Sequence, residues 1–239
     1  MSRHSKWAKI KRQKEVTDVR RGQVFTKLLR AITAAARDSG GDAATNVRLR
    51  MAIDRALAEN MPRENIERAI ERAVGGSGGA PTESLVIEGY GPSGAALLIE
   101  AVTDNRNRTI GEIRRMVSEA GGSLGGAGST QWMFERRGRI LFENLADAEA
   151  AELAAIDAGA LETDRDGRAV EVLTMPEKLH TIATALTSSG YRPDTAEVIL
   201  VPQNPLPLPE PALSAVDKLV SELEDHADVV DVTTNAVPQ

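Results

Sequence analysis

The sequence predicts an α+β, multidomain protein: an N-terminal three-helix bundle and two α+β domains, one ferredoxin-like and inserted in the other. Three observations lead there. Apolar residues recur at helical spacing three times between residues 24 and 74. From residue 130 to 203 short strand-like and helix-like segments alternate. A proline-rich connector then leads into a single helix and a single strand, which cannot bury a core alone. A chain of 239 residues suits two or three modules, and with only 3% aromatic residues the cores must be built from Ala, Leu, Ile and Val.

The first helix carries Val24, Phe25, Leu28, Leu29, Ile32, Ala35 and Ala36 at helical spacing and ends at Gly40-Gly41. The second starts after Thr45 or Asn46, with Leu49, Ala52, Ile53, Ala56 and Leu57 on one face. The third follows Asn60-Met61-Pro62, buries Ile66, Ala69, Ile70, Ala73 and Val74, and stops at Gly75-Gly76. Short links between short amphipathic helices imply a small bundle. The bundle with its leading arm occupies residues 1–76, and GGSGGAP (75–81) is a flexible linker.

LVIEGYGPSGAALLIEAVT (85–103) reads as two strands around a Gly-Tyr-Gly-Pro turn. Gly89, Gly91 and Gly94 spell G-x-G-x-x-G, but that fingerprint needs a helix after the third glycine, and AALLIEAV is strand-like. Dinucleotide binding is therefore rejected. A helix follows DNRNR, with Thr109 and Glu112 spaced as a capping box, and GGSLGGAGS (121–129) is a glycine seam without a P-loop lysine. From 130 the expected order is strand, strand, helix, strand, helix, strand: TQWMFE and GRILFE flank Arg136-Arg137-Gly138, and Thr174 with Glu177 caps the second helix. Two helices on a mainly antiparallel sheet suggest a ferredoxin-like module over 130–203. The last helix and strand (211–239) then return to residues 82–129 to complete a discontinuous domain around that insertion.

Composition removes whole classes of function. There are no cysteines, hence no disulfide, thiolate metal site, iron–sulfur cluster or cysteine nucleophile. His4, His180 and His226 show no ligand spacing, so no metal is expected. No carboxylate pair or nucleophile elbow stands out, so neither catalytic residues nor a cofactor nor a small-molecule substrate is expected. No apolar run approaches the ~20 residues of a membrane span. Residues 1–20 share the arginine-rich character of a transit peptide but run straight into a helical pattern. A cytoplasmic protein is the expectation.

Charge is where the chain is distinctive. The first thirty residues hold ten cations against Glu15 and Asp18, a local net charge of +8 in a chain of −6 overall, which leaves −14 for the rest. Positive potential concentrated in this way calls for a polyanion. Lys6, Lys9, Lys11, Arg12, Lys14, Arg20 and Arg21 supply phosphate contacts without base-edge geometry. Trp7, one of two tryptophans, suits stacking on a base and argues against a merely solvated tail. Lys27, Arg30, Arg48, Arg50 and Arg55 extend the positive surface onto the bundle. Arg106 and Arg108 lie at a helix mouth, where they form a phosphate or sugar site or else pair with acids such as Glu100 or Asp104. Arg114, Arg115, Arg136, Arg137 and Arg139 read as solvated faces.

Several ordered segments together resemble one family. They are HSKW with the following Ile10-Lys11, RLR (48–50), NMPRENIERAI (60–70), EGYGPSG (88–94), DNRNRT (104–109) and GGSLGGAGS with Trp132 and Phe134. The chain is similar over its whole length to the YebC/PmpR family, whose eukaryotic relatives are mitochondrial translational activators of cytochrome c oxidase. The departures are Arg3, Val47 and Thr130, where the family usually has glycine, proline and an apolar residue. The resemblance implies the bundle and the two α+β domains already described. It also implies a DNA-binding transcriptional regulator, with a ribosome-associated translation factor on ribosomal or transfer RNA as the alternative. A protein–protein adaptor, its arm on an acidic partner, is a third class.

Overall fold

The structure, a computed structural model, describes residues 18–75 and 83–239, with side chains of the first helix from Val24 onward. It divides into two compact units, Arg136–Leu200 on one side and the described parts of Val16–Glu135 with Val201–Gln239 on the other.

Helices α1 (Asp18–Ser39), α2 (Val47–Ala58) and α3 (Arg63–Val74) form the bundle of the larger unit. Leu28, Ile32, Leu49, Ala56, Met61 and Ile66 meet in its core. Asn46 joins the first two helices. Its Oδ1 accepts from Leu49 N–H at 3.0 Å as the α2 cap, while its Nδ2 donates to the Ala35 and Gly40 carbonyls at 2.8 Å each. Val47 stands exposed in the first turn, so the helix start depends on the Asn46 side chain rather than on a proline.

Strands β1 (Glu83–Tyr90), β2 (Ala96–Thr103), β3 (Ser123–Leu124) and β9 (Val229–Thr234) form a sheet in the order β3-β1-β2-β9, its β1–β3, β1–β2 and β2–β9 pairs antiparallel. Alternation along the strands gives the sheet two buried faces. Leu85, Ile87, Leu97, Ile99 and Val229 pack against Ile113 and Val117 of α4 (Arg106–Glu119) and Leu219 and Leu223 of α7 (Glu210–Asp225). Glu100 and Asp231 point the other way and meet Arg55 of α2. The third glycine, Gly94, leads directly into β2, so the glycine fingerprint is a hairpin turn.

The smaller unit carries β4 (Phe134–Phe142, from Arg136), α5 (Ala148–Asp157), β5 (Glu162–Asp166), β6 (Ala169–Thr174), α6 (Leu179–Ser188) and most of β7 (Thr195–Pro202). The strand order β5-β6-β4-β7, counted in chain order, is second, third, first, fourth. That is the ferredoxin-like arrangement. Ile140, Phe142, Val170, Val172, Leu179, Ile182 and Leu186 are essentially excluded from solvent. Each contributes about 1.5–3 kcal/mol relative to exposure.

Several local expectations are corrected. TQWMFE and GRILFE are not two strands: Gln131–Met133 is a single 3₁₀ turn and β4 runs unbroken through Arg136-Arg137-Gly138. Gly138 reads as a turn but sits mid-strand because a side chain there would meet Leu179 Cβ at 3.0 Å. The missing strand is β5, ETDRD, whose charges suit a sheet edge rather than an apolar alternation. Leu206–Leu208, inside the proline-rich connector, forms β8 and pairs in parallel with β10 (Ala236–Pro238). The α4 cap is Asn105, which accepts from Arg108 N–H at 3.1 Å, while Thr109 is buried. Pro176–Lys178 forms a 3₁₀ turn before α6 in place of a Thr174–Glu177 box. Arg139 is not a solvated residue; it is 8% exposed.

The glycine seam shows why its residues are small. At Gly122 a Cβ would strike the Tyr90 carbonyl oxygen and lie 2.9 Å from Val117 Cγ1, whereas at Gly126 nothing lies within 4 Å. Gly122→Ala is therefore expected to cost about 2–3 kcal/mol and Gly126→Ala less than about 0.5 kcal/mol. Paired urea melts check this, and equal midpoints would contradict it.

Candidate nucleic-acid interface

Lys6, Trp7, Lys9, Lys11, Arg12 and Lys14 lie outside the described residues, as does His4. Arg20 and Arg21 belong to the first turns of α1. The remaining cations expected at an interface each have partners inside the larger unit. Lys27 Nζ donates to the carbonyl of Glu224, in the last turn of α7, where a cation also complements the helix dipole. Arg50 closes the α1–α2 loop, donating to the carbonyls of Ala43 at 2.8 Å and Ala44 at 2.5 Å. Arg48 faces Asp38 at 3.6 Å and Arg106 faces Glu83 at 3.6 Å; both pairs are exposed and contribute little. Arg55, with its side chain 14% exposed, spans Glu100 at 2.7 Å and Asp231 at 3.1 Å.

Arg108 and Arg30 converge on one carboxylate. Asp228, 6% exposed, lies between α7 and β9. It accepts from Thr109 Oγ1 at 2.7 Å, Arg108 Nη2 at 2.9 Å and Thr103 Oγ1 at 3.1 Å. Arg30 Nη1 of α1 is 3.7 Å from its other oxygen, and Arg108 also bonds Asp104 at 2.9 Å. Burial acts to raise the Asp228 pKa, but the Thr109, Arg108 and Thr103 bonds outweigh it and hold the group below the usual carboxylate range. The Asp228 N–H donates to His226 Nδ1 at 3.1 Å, which leaves Nε2 to donate to Glu112 at 2.9 Å. One buried carboxylate thus draws the bundle, β2, α4 and the start of β9 together.

A second buried carboxylate shapes the glycine seam. Glu88, 6% exposed, accepts from the backbone N–H groups of Gly128 at 2.6 Å, Thr130 at 2.7 Å and Gln131 at 2.8 Å. Burial acts to raise its pKa, and these bonds more than offset it, so the carboxyl sits below its ordinary value. Thr130 is fully buried and satisfied, its hydroxyl donating to the Leu97 carbonyl at 3.0 Å. Beyond the seam Trp132 is 62% exposed, its Nε1 donating to the Ser129 carbonyl at 3.1 Å.

Sequence reasoning passed over Glu88 and Asp228. The signal available for Glu88 was a charged residue inside a strand, next to the apolar Leu85 and Ile87. Asp228 gave none, since its partners lie about 120 residues away. Among the described residues no group of three His, Cys, Asp or Glu side chains is placed to hold a metal ion, and no helix is long and apolar enough to cross a membrane.

Comparison with known proteins matches residues 5–76 to the family model described as the TACO1/YebC protein N-terminal domain, and residues 82–236 to the TACO1/YebC second and third domain. A probable transcriptional regulatory protein of Thermus thermophilus is 48% identical, covering all of this chain and 98% of that one. Another from Thermoanaerobacter pseudethanolicus is 45% identical over 98% of this chain and 96% of its own. A crystal structure of a conserved hypothetical protein from Aquifex aeolicus superposes with a TM-score of 0.79 at 36% identity, covering 98% of this chain and 97% of that one.

The Asp228 cluster makes a pH-dependent prediction. Its depressed folded pKa means that its stabilisation is complete above the unfolded value of about 3.9 and is lost as pH falls through the folded one. Asp228→Asn is expected to cost about 2–4 kcal/mol at neutral pH, because Arg108 and Arg30 lose their common partner. Below about pH 4 the gap to the parent chain should narrow. Thermal melts across pH test this, and parallel curves for the two chains would contradict it.

Proposed function

The chain belongs to the TACO1/YebC family, and from that premise we propose that it is a non-enzymatic, nucleic-acid-binding regulator of gene expression that grips the phosphate backbone through its basic N-terminal arm. The observation that carries this reading is the distribution of cations. Lys27, Arg30, Arg50, Arg55 and Arg108 are engaged with carbonyls and carboxylates of the larger unit. Lys6, Lys9, Lys11, Arg12, Lys14, Arg20 and Arg21 supply the concentrated positive charge in the sequence of an acidic chain. Phosphates answer such a segment by counterion release. Arg48 and Arg106, in exposed and weak pairs, stand as auxiliary contacts.

Duplex DNA and transcriptional control are the first version, because the relatives carry the name of probable transcriptional regulatory proteins. One observation favours RNA, as on a ribosomal particle. Groove reading needs a helix with base-edge side chains facing outward. Here α1 packs on α2, α3 and the sheet, α2 is tied to β2 and β9 through Arg55, and the outer face of α3 alternates Arg63, Glu64, Glu67, Arg68, Glu71 and Arg72. Such a bundle suits a body that presents an arm rather than one that enters a groove. Localisation in the cytoplasm accompanies either version.

Binding of the purified chain to duplex DNA and to structured RNA, measured by fluorescence anisotropy from about 0.05 to 0.3 M salt, tests both. Affinity is expected to fall steeply with salt, and replacing Lys6, Lys9 and Lys11 by Ala should flatten the log–log slope by about 0.9 per lysine on duplex DNA, or about 0.7 on single-stranded RNA. Unchanged slopes in the triple variant would overturn the assignment to the arm. The nucleic acid bound at the higher salt decides between the versions.

A further inference from the structure

Trp132 is held in place and yet left in solvent. In a chain with only 3% aromatic residues, an indole is a large share of the material available for a core. Phe134, two residues on, is 6% exposed and serves that purpose, whereas Trp132 is 62% exposed. Its Nε1 donates to the Ser129 carbonyl at 3.1 Å, and the Tyr90 hydroxyl donates to the same oxygen at 3.0 Å. The Gln131 N–H before it is held by the buried Glu88 carboxylate at 2.8 Å, and the Phe134 N–H after it closes the 3₁₀ turn on the Gln131 carbonyl.

A held, exposed ring is a preorganised contact, because its freedom is already lost before any partner arrives. Its one polar atom is engaged with Ser129, so what remains to offer is a flat apolar face. The surroundings suit a polyanion. Residues 121–133 include no charged side chain although 27% of the chain is charged, so phosphates meet no like charge within this stretch. Gly126, whose carbonyl accepts from the Ser129 N–H at 3.2 Å, has no left-handed φ and no atom within 4 Å of the place a Cβ would take. Neither strain nor crowding among the described residues calls for glycine there, and the bare backbone leaves room for a close approach.

We propose that Trp132 is a stacking platform for an unpaired nucleobase, a contact added to the phosphate grip of the arm. The inference rests on the nucleic-acid reading above and narrows its substrate class to strands whose bases are free of a duplex. A flat π system is the complement of a flat π face, and every base has one. In a duplex those faces are covered by the neighbouring base pairs, so a single strand, loop or bulge is what offers them. An apolar peptide also covers a ring, but it has no need of the uncharged surroundings that a phosphate chain needs. Stacking releases no counterions, so it adds affinity without steepening the salt dependence. Trp132 and the lysines of the arm therefore leave different marks on the same titration.

Fluorescence titration of the full-length Trp7→Phe chain tests this, because Trp132 is then its only indole. A single-stranded oligonucleotide should quench the emission over the concentrations at which anisotropy registers binding, and a blunt duplex should not. Trp132→Ala should lower single-strand affinity about fivefold or more while the log–log salt slope, the duplex affinity and the melting temperature stay in place. Trp132→Phe should recover most of the loss. Binding by anisotropy without quenching, or an equal loss on duplex and single strand, overturns the stacking assignment and leaves the reading of the arm intact. Quenching by an apolar peptide but by no oligonucleotide assigns the ring to a protein partner and overturns the nucleobase. Absence of binding to either nucleic acid by the parent chain overturns the nucleic-acid reading and this inference with it.

Discussion

An acidic body must answer its buried carboxylates with its own donors, and that constraint organises this molecule. Asp228 is met by Arg108, Thr103 and Thr109, with Arg30 beyond. Glu88 is met by three backbone N–H groups, and the half-buried Glu100 and Asp231 by Arg55. A buried carboxylate left without partners costs several kcal/mol. The cations that meet them are thereby held in place within the larger unit.

The consequence for function is a division of labour along the chain. Arg30, Arg55 and Arg108 tie the bundle and α4 to acidic residues of β2, β9 and the turn before β9. The net charge of −14 beyond residue 30 makes the rest of the chain, taken as a whole, a poor surface for a polyanion. On the proposed reading, attraction to a polyanion concentrates at the basic arm, and repulsion elsewhere orients the encounter. The Glu88-braced seam adds a shaped surface bearing Trp132, whose indole is held by the Ser129 carbonyl.

Much of the fold was legible because its determinants are local. Asn46 before an apolar helical stripe, Gly40 after one and Gly94 before an apolar run are signals that propensity and periodicity carry over a few residues. The inserted module was recognised, but with a strand misplaced: ETDRD has no apolar alternation because it forms a sheet edge, and Arg136-Arg137-Gly138 imitates a turn although Gly138 is small for the sake of Leu179. The candidate site was legible only as charge. The pairing of Arg108 with Asp228 was not legible, because Asp228 is brought from 120 residues away by the return of α7 and β9. The Asp104 pairing, by contrast, lies within one helical turn and was foreseeable.

On the proposed function, external binding resides in the arm while Arg30, Arg55 and Arg108 hold the body together. Deleting residues 1–14 and, separately, replacing Arg55 by Met puts the two halves of that claim on opposite scales. Nucleic-acid affinity and thermal stability are then measured for both chains. The truncated chain is expected to lose binding and keep its melting temperature. The Arg55→Met chain is expected to keep its affinity and lose about 1–3 kcal/mol of stability, because Glu100 and Asp231 lose their shared cation. Nucleic-acid binding that survives removal of the arm would contradict it.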